Sequence, residues 1–183
     1  YTTEQDKPRL YTRGNGRVGT DISHLIGYLR LPKTPKDITI RGEIIMQRDI
    51  FQEKYSRDFK NGRNLVAGLV NNKSLTADRI KMFKDMDFVA YEVIKPENLK
   101  PSVQMDYLSS LANVKVVQNI TIPPEELTNE KLSELLVKWR TEYQYEIDGV
   151  ICADDKVYKR IDKNPEHAFA FKMVLSDQKA EAR

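Results

Sequence analysis

The chain has 183 residues, which is enough for one full hydrophobic core with or without a small additional lobe. Its 40% hydrophobic and 31% charged content is that of a soluble globular protein, and a net charge of +3 is too small to prove a nucleic-acid partner. The single cysteine excludes an intramolecular disulfide and a multi-cysteine zinc site, and it favours a reducing, intracellular compartment. Because the sequence contains no apolar run of membrane-spanning length and no signal peptide, we expect no membrane partner.

The N-terminal residues predict a hairpin with its turn at 4–8, followed by a helix to Leu29 that Thr20 or Asp21 caps. Between them, Arg13-Gly14-Asn15-Gly16-Arg17 is a glycine-rich turn flanked by two arginines. Such a turn before a helix start suits a bound phosphate. A turn can also be rich in glycine for steric reasons alone, and the turn by itself favours that explanation.

Residues 38–46 alternate as a strand. One face is apolar, and Arg41 and Glu43 lie on the other, on either side of Gly42, where another group is expected to approach the backbone closely. A carboxylate beside a glycine suits hydrogen bonds to ribose hydroxyls, whereas a surface ion pair between Arg41 and Glu43 is the structural alternative. Residues 48–59 predict an amphipathic helix that covers the core.

In the stretch 61–70, Arg63 is followed by mainly small and apolar residues, a pattern that predicts tight packing. An arginine held rigidly in this way suits a bidentate phosphate contact. Residues 87–94 predict the next strand. Its Tyr91 is either a core side chain or a flat surface on which a base can stack, and the strand alone favours the core.

The middle of the chain predicts scaffold elements to which we assign no chemistry. They are a helix to Leu111 capped by Ser102, a strand at 114–117, and a helix from its cap Thr128 to about Tyr143. The core-facing stripe of the last helix consists of Leu132, Leu135, Leu136 and Trp139.

Two short predicted strands, 145–151 and 168–174, each carry one charged residue among apolar ones. The side-chain period of two places Asp148 and Lys172 on otherwise apolar faces. A charge on an apolar face is costly unless it is paired or binds a charged ligand. The two strands by themselves leave an internal Asp148–Lys172 ion pair and a ligand-binding site equally open.

Five stretches in this order resemble the nucleotidyltransferase domain of NAD-dependent DNA ligases, over nearly the whole chain. They are Thr12-Arg13-Gly14-Asn15-Gly16, Arg41-Gly42-Glu43, Gly62-Arg63-Asn64 with Ala67-Gly68, Ile147-Asp148-Gly149-Val150 and Ala170-Phe171-Lys172. Each stretch alone is weak evidence, but five in register are specific. Residues 64–68 and 169–175 are more similar to viral or phage members than to bacterial housekeeping enzymes.

This resemblance implies an α+β fold of the DNA ligase and mRNA-capping nucleotidyltransferase type, with antiparallel sheets and flanking helices and with the adenylate held between sheets. It implies an enzyme that seals nicks in duplex DNA, in replication and repair, with NAD as the AMP donor and Mg²⁺ as a second cofactor. A lysine attacks the α-phosphate of the cofactor, AMP passes to the 5′-phosphate of the nick, and the 3′-hydroxyl displaces AMP. We expect a monomer whose partners are a nucleotide and nicked DNA.

The resemblance assigns five residues to the nucleotide. Arg13 is expected near the phosphate and the leaving group, and Glu43 on the ribose. Arg63 is expected on the adenylate or nick phosphate, and Tyr91 stacked on adenine. Lys172 is expected to neutralise the α-phosphate.

The catalytic residues implied by the resemblance are Asp148, Lys172 and Arg13. Asp148 is expected to serve the metal-assisted transfer, although no metal ligand is assigned. Phosphoryl-type transfer needs in-line placement and compensation of negative charge, and arginine, lysine and Mg²⁺ supply that compensation.

The sequence departs from the family pattern in three places. No Lys-x-Asp-Gly, the motif that bears the family's nucleophilic lysine, occurs in residues 1–183, so we expect the chain alone to be inactive. Ala153 stands where the family has a second lysine after the aspartate, with Lys156 as the nearest substitute. Asn71 stands where the family has a second arginine.

We therefore predict one incomplete adenylation domain over 1–183, with the lysine-bearing segment upstream and an OB-fold downstream. An ATP-dependent DNA or RNA ligase or a capping guanylyltransferase is the alternative among enzymes. A non-catalytic nucleotide- or DNA-binding module, which Ala153 and Asn71 would suit, is the alternative from another class.

Overall fold

The computed structural model of the protein describes residues 1–3, 7–161 and 164–172, and their strands form two sheets. The first sheet has β1 (Thr39–Met46) antiparallel to β2 (Met86–Lys95), and β2 parallel to the short β3 (Lys115–Val116). The second sheet pairs β4 (Val150–Ala153) antiparallel with β5 (Ala168–Phe171).

Helices flank both sheets. The α-helices of the described residues are α1 (Arg48–Lys54), α2 (Gly62–Val70), α3 (Ala77–Phe83), α4 (Pro101–Ser110) and α5 (Asn129–Glu142). Ser23–Leu25 and Pro124–Glu126 are short 3-10 helices. This mixture of antiparallel sheets and helices confirms the predicted α+β class, while the specific nucleotidyltransferase fold stays a prediction. Among the helices of the described residues, none is long and apolar enough to cross a membrane.

Two apolar clusters lie along the first sheet. In one, Leu65 and Leu69 of α2 and Phe83 of α3 pack against the ends of β1 and β2. In the other, Leu108 of α4 packs against Ile40 of β1 and neighbouring residues of β2. The partly buried side chains that pack against both clusters make this part of the molecule continuous, and burial of this apolar surface stabilises it.

A third, smaller apolar cluster belongs to the second sheet. Its buried members are Leu132 and Leu136 of α5 and Val150 of β4, with Trp139 and Phe171 packed against them. The helix forms as predicted, since Thr128 Oγ1 accepts a hydrogen bond from the Lys131 backbone nitrogen at 3.1 Å and satisfies one of the free donors of the first turn.

The pairing of β1 with β2 is irregular at one point that concerns the site. Arg41 pairs with Glu92, whereas Gly42 pairs with Ala90, so Tyr91 has no partner on β1. An extra residue in one strand bends that strand and turns a side chain away from the regular alternation.

The structure confirms two expectations about local geometry. A Cβ on Gly42 would lie 2.6 Å from both the Phe88 ring and the Val89 carbonyl oxygen, so the close approach predicted at this glycine is present. Thr2 and Arg9 exchange backbone hydrogen bonds of 2.9 and 2.8 Å, as expected of the predicted N-terminal hairpin, whose turn lies partly outside the described residues.

Two helix predictions need correction, and a third helix was not predicted. The helix predicted to reach Leu29 is a single 3-10 turn, because Gly27 disfavours continuation. The helix predicted at 48–59 ends at Lys54 and gives way to turns. Residues 61–70, which we predicted only as a tightly packed run, form α2, with Asn61 Oδ1 accepting from a backbone nitrogen of the first turn at 2.8 Å.

Two further boundaries differ from the prediction. Lys100, not Ser102, is the N-cap of α4, because Pro101 occupies the first helical position, which its fixed φ suits. The strand predicted at 145–151 begins only at Val150, and residues 173 and 174 of the other predicted strand lie outside the described residues.

Candidate active site

A cleft lies between the glycine-rich turn, β1, β2 and α2. Its volume is about 860 Å³. Arg13, Glu43, Arg63 and Tyr91, which the sequence places up to 78 positions apart, all line it. The fold therefore gathers four of the six predicted site residues around one cavity large enough for a nucleotide cofactor.

The glycine-rich turn is held by its own hydrogen bonds. Asn15 Oδ1 accepts from the backbone nitrogens of Arg17 and Val18 at 3.0 and 2.8 Å. Gly14 has a φ of 54°, a left-handed conformation that glycine adopts without strain. Arg13 is exposed beside this turn, and Arg17 also lines the cleft, so two arginines frame one end of it.

Tyr91 and the charged residues of β1 form the central part of the cleft. Tyr91 is 38% exposed, so it is neither a core residue, as its strand alone favoured, nor fully solvated. Burial is the main cause of the raised pKa of its phenol, and nearby charges, including those of Arg41 and Arg13, modify it. The neutral ring offers a flat surface at a position surrounded by groups that can bind a ribose and phosphates.

The surface pair between Arg41 and Glu43, which the sequence left open as an alternative, does not form. Arg41 Nη1 lies 3.1 Å from Glu92 Oε2 on the neighbouring strand, its direct cross-strand partner. Side chains directly opposite each other on paired strands are closer than side chains two positions apart on one strand. Arg41 therefore pairs with Glu92 and not with Glu43. Glu43 is exposed and remains available to the cleft.

Arg63 joins the cleft to the second sheet. It sits in the first turn of α2, and its Nη1 lies 2.7 Å from Asp148 Oδ2, with 62% and 54% of the two side chains exposed. The hydrogen bond to Asp148 is the largest cause of the raised pKa of the guanidinium, and the charges of Glu43 and Glu146 add to it. Asn71, at the other end of α2, also lines the cleft.

The structure does not contain the Asp148–Lys172 ion pair that the sequence left open. Asp148 pairs with Arg63, and within the described part of the chain Lys172 has no acidic group at ion-pair distance. Both side chains are exposed, because Asp148 precedes β4 and Lys172 follows β5. The buried charges predicted from the strand pattern are therefore not found at these two positions.

Lys172 nevertheless lies beside the Asp148 segment. A Cβ on Gly149 would be 2.8 Å from Lys172 Cγ and 2.5 Å from the Phe171 carbonyl oxygen, so glycine is needed where the two strands meet. Lys172 does not line the cleft itself. The site thus has two parts, one around the cleft and one at the ends of β4 and β5, and the Arg63–Asp148 contact connects them.

Asp87 is a charged residue whose role the sequence analysis missed. It is 1% exposed and accepts hydrogen bonds from Tyr145 at 2.6 Å, Gln47 at 3.3 Å and Arg30 at 3.1 Å, with Lys115 Nζ 2.9 Å away. Burial opposes its charge, but these hydrogen bonds and the charge of Lys115 prevail, and the pKa of Asp87 lies below its ordinary value. A carboxylate inside the apolar run of β2 was the available signal.

Through its hydrogen bond, Tyr145 connects the buried Asp87 carboxylate to the second part of the site. Its ring is 2% exposed, and it is followed directly by Glu146, which lines the cleft. A second anchor is Arg140, whose Nη2 donates to the Asp148 carbonyl oxygen at 2.9 Å. The chain from 145 to 148 is thus fixed at both ends by hydrogen bonds.

Ala153 and Asn71, which stand where the family has a lysine and an arginine, lie in different parts of the molecule. Asn71 lines the cleft. Ala153 is exposed at the end of β4. Lys156 Nζ lies 3.5 Å from Asp154 on the connection that follows, and it does not line the cleft.

A family model and individual relatives all relate the sequence to DNA ligases. The sequence matches the family described as NAD-dependent DNA ligase adenylation domain over residues 6–175. It is 37% identical to the putative DNA ligase 205R of Invertebrate iridescent virus 6, over 98% of this chain and 30% of that protein. It is 38% identical to the DNA ligase of Acanthamoeba polyphaga mimivirus, over 93% of this chain and 27% of that protein. The DNA ligase of Thermotoga neapolitana is 30% identical, over 88% of this chain and 25% of its own length. The chain thus spans less than a third of these relatives.

Proposed function

The chain belongs to the family of NAD-dependent DNA ligase adenylation domains, and from that premise we propose that it is part of a DNA ligase that seals nicks in duplex DNA with NAD as the AMP donor. In this proposal residues 1–183 form one section of a longer, monomeric polypeptide that supplies the nucleophilic lysine and an OB-fold. The matches to ligases of two viruses support the resemblance to viral members.

The observation that carries the proposal is the convergence of Arg13, Glu43, Arg63 and Tyr91 on one cleft. The cleft has an aromatic surface for a base, a carboxylate for ribose hydroxyls, and arginines for phosphates. These are the groups that a dinucleotide such as NAD requires, so the residues present fit it.

Each residue has a defined task in this proposal. Tyr91 stacks on the adenine and Glu43 accepts hydrogen bonds from the ribose. Arg13 and Lys172 compensate the negative charge of the phosphates. NAD, when bound near Arg13 and Lys172, would supply the AMP group, with nicotinamide mononucleotide as the leaving group when the lysine of the longer protein displaces it.

Arg63 and Asp148 are proposed to act together. Their 2.7 Å contact orients both side chains, and the partial exposure of each leaves atoms free for a phosphate or a metal-bound group. Within the described residues no group of three or more histidine, cysteine, aspartate or glutamate side chains is placed to hold a metal ion. Asp148 is the residue proposed to serve the Mg²⁺-assisted transfer.

The test is intact-mass spectrometry of the full-length protein after incubation with Mg²⁺ and either NAD or ATP. We expect a gain of one AMP with NAD alone. A gain with ATP alone would keep the nucleotidyltransferase and reject NAD as the donor. No gain with either, in folded protein, would reject the enzyme and favour a binding module, with Asn71 and Ala153 as the residues to explain.

A further inference from the structure

The connection that follows β4 reaches back to the first sheet at two points. Asp155 accepts hydrogen bonds from the backbone nitrogen and the hydroxyl of Ser102 at 2.8 and 2.7 Å, at the start of α4. Arg160 Nη1 lies 2.7 Å from Glu92 Oε1 on β2. Both contacts join residues more than 50 positions apart, so they contribute to how the second sheet sits against the first.

Glu92 is shared between the two parts of the site. One carboxylate oxygen faces Arg160, and the other lies 3.1 Å from Arg41 Nη1. Arg41 lines the cleft, whereas Arg160 lies on the connection between β4 and β5. The Arg41 and Glu92 side chains are only 26% and 28% exposed, which shields the contact from solvent more than an ordinary surface ion pair.

The apolar clusters of the two parts are separate. The buried residues around α5 and β4 form a cluster that shares no member with the two clusters along the first sheet. Guanidinium groups bound to carboxylate oxygens fix distance and direction. The relative position of the two parts therefore depends on polar contacts such as this one.

We propose that Glu92 is a positioning residue for the AMP transfer, an inference that rests on the proposed function. By binding Arg41 and Arg160 with its two oxygens, it holds Arg41 in the cleft and fixes the connection that leads to β5 and Lys172. The carboxylate itself does not touch the reacting atoms. Its loss allows the two parts of the site to move apart, and misplacement of reacting groups by about 1 Å can cost about 100-fold in rate.

The experiment is a double-mutant cycle in the full-length protein with Glu92→Gln, Arg160→Gln and the double variant. Lys159→Gln is the matched control, because it removes one positive charge from the neighbouring position, where the described residues offer no ion-pair partner. The rate of AMP gain at saturating NAD and the melting temperature are measured for each. Amide hydrogen exchange of residues 154–161 is measured without NAD.

We expect Glu92→Gln to slow AMP gain by about tenfold at an unchanged melting temperature, Arg160→Gln to slow it less, and the double variant to match Glu92→Gln, because the two residues act as one unit. Exchange at 154–161 is expected to accelerate in both single variants but not in Lys159→Gln. Multiplying effects in the double variant, or wild-type rates in both singles, would overturn the proposal. Unchanged exchange would overturn it even if NAD proved not to be the donor, whereas an inactive wild type with accelerated exchange in the variants would count against the proposed function alone.

Discussion

The two parts of the site differ in how the fold holds them. Residues 1–116 with the first sheet, called the sheet region here, place the cleft residues over two adjoining apolar clusters. Residues 129–172 with α5, β4 and β5, called the hairpin region, hold Asp148 and Lys172 over a cluster with three buried residues. The sheet region positions its residues by packing, and the hairpin region is positioned by hydrogen bonds and ion pairs. Charged contacts fix geometry but contribute less free energy than packing, so the hairpin region is the part in which function is easiest to separate from stability.

The largest expected effect comes from the charged residues of the hairpin region. Lys172→Ala and Asp148→Ala in the full-length protein are each expected to abolish nick sealing without unfolding the protein. Both side chains are exposed, so no buried contact is lost, but phosphate compensation is lost in one and the Arg63 contact in the other. Gel assays of nick closure, with circular dichroism as the folding control, measure this. Normal sealing by either variant would exclude that residue from the site.

A matched pair of core substitutions sharpens the comparison. Leu65 in the sheet region and Leu136 in the hairpin region are both 0% exposed. Each change to alanine is expected to cost about 2–5 kcal/mol of unfolding free energy, with Leu65→Ala near the upper end because more buried neighbours surround it.

The single tryptophan distinguishes the two regions in this experiment. Trp139 packs in the cluster of the hairpin region, so its fluorescence reports that region, whereas circular dichroism reports the whole fold. In urea, Leu136→Ala is expected to shift the fluorescence transition more than the dichroism transition, and Leu65→Ala to do the reverse. Coincident shifts in both variants would show that the two regions unfold as one unit.

The buried carboxylate between the regions predicts a dependence on pH. Because the folded-state pKa of Asp87 is below its ordinary value, its charge stabilises the fold at neutral pH, and that contribution is lost as pH falls through the folded pKa. Asp87→Asn is expected to cost about 1–3 kcal/mol near pH 7, since its hydrogen bonds are to a charged acceptor. The partners Arg30 and Lys115 are 64% and 45% exposed and can return to solvent, which limits the cost.

The measurement is urea unfolding between pH 7 and pH 3. The difference in unfolding free energy between wild type and Asp87→Asn is expected to start shrinking as the pH falls through the ordinary pKa of an aspartate, about 4. It is lost as the pH falls through the lower folded-state pKa, below which the wild-type carboxyl is protonated in both states. A difference that stays constant over this range would mean that the Asp87 charge does not contribute to stability.

The smallest expected effect compares two helix caps. Asn61 caps α2, which carries Arg63, and Thr128 caps α5. Changing either to alanine is expected to cost about 1 kcal/mol of stability. Only Asn61→Ala is expected to slow nick sealing, because Arg63 lies in the first turn that this cap fixes. Equal sealing rates in the two variants would show that the cap does not position Arg63.

Local sequence patterns predicted those parts of the fold that depend on nearby residues. The N-cap of α5 is fixed by side chains within one turn, and the strand alternation of β1 by a period of two, and both appear in the structure. The close approach of neighbouring atoms to the backbone at Gly42 also follows from local sterics. The stretch 61–70 was not recognised as a helix, because two glycines and two asparagines obscure its apolar stripe.

Contacts between distant residues could not be predicted in this way. The partner of Arg41 is Glu92 rather than Glu43, and the partner of Asp148 is Arg63 rather than Lys172. In each case two or more oppositely charged residues were available, and a charge pattern along the chain does not say which pair the fold brings within 4 Å. The turn of Tyr91 into the cleft depends on a register shift between two strands, which neither strand reveals alone.

The sequence by itself determined the α+β class and, through five stretches in register, the family to which the chain belongs. These properties follow from residue types and their spacing along the chain, which can be read without the folded structure. Only the tertiary structure decided that Arg13, Glu43, Arg63 and Tyr91 share one cleft, that Asp87 is the buried charge, and that Glu92 joins two arginines. Those facts depend on distances between residues far apart in the chain, which packing and strand register set.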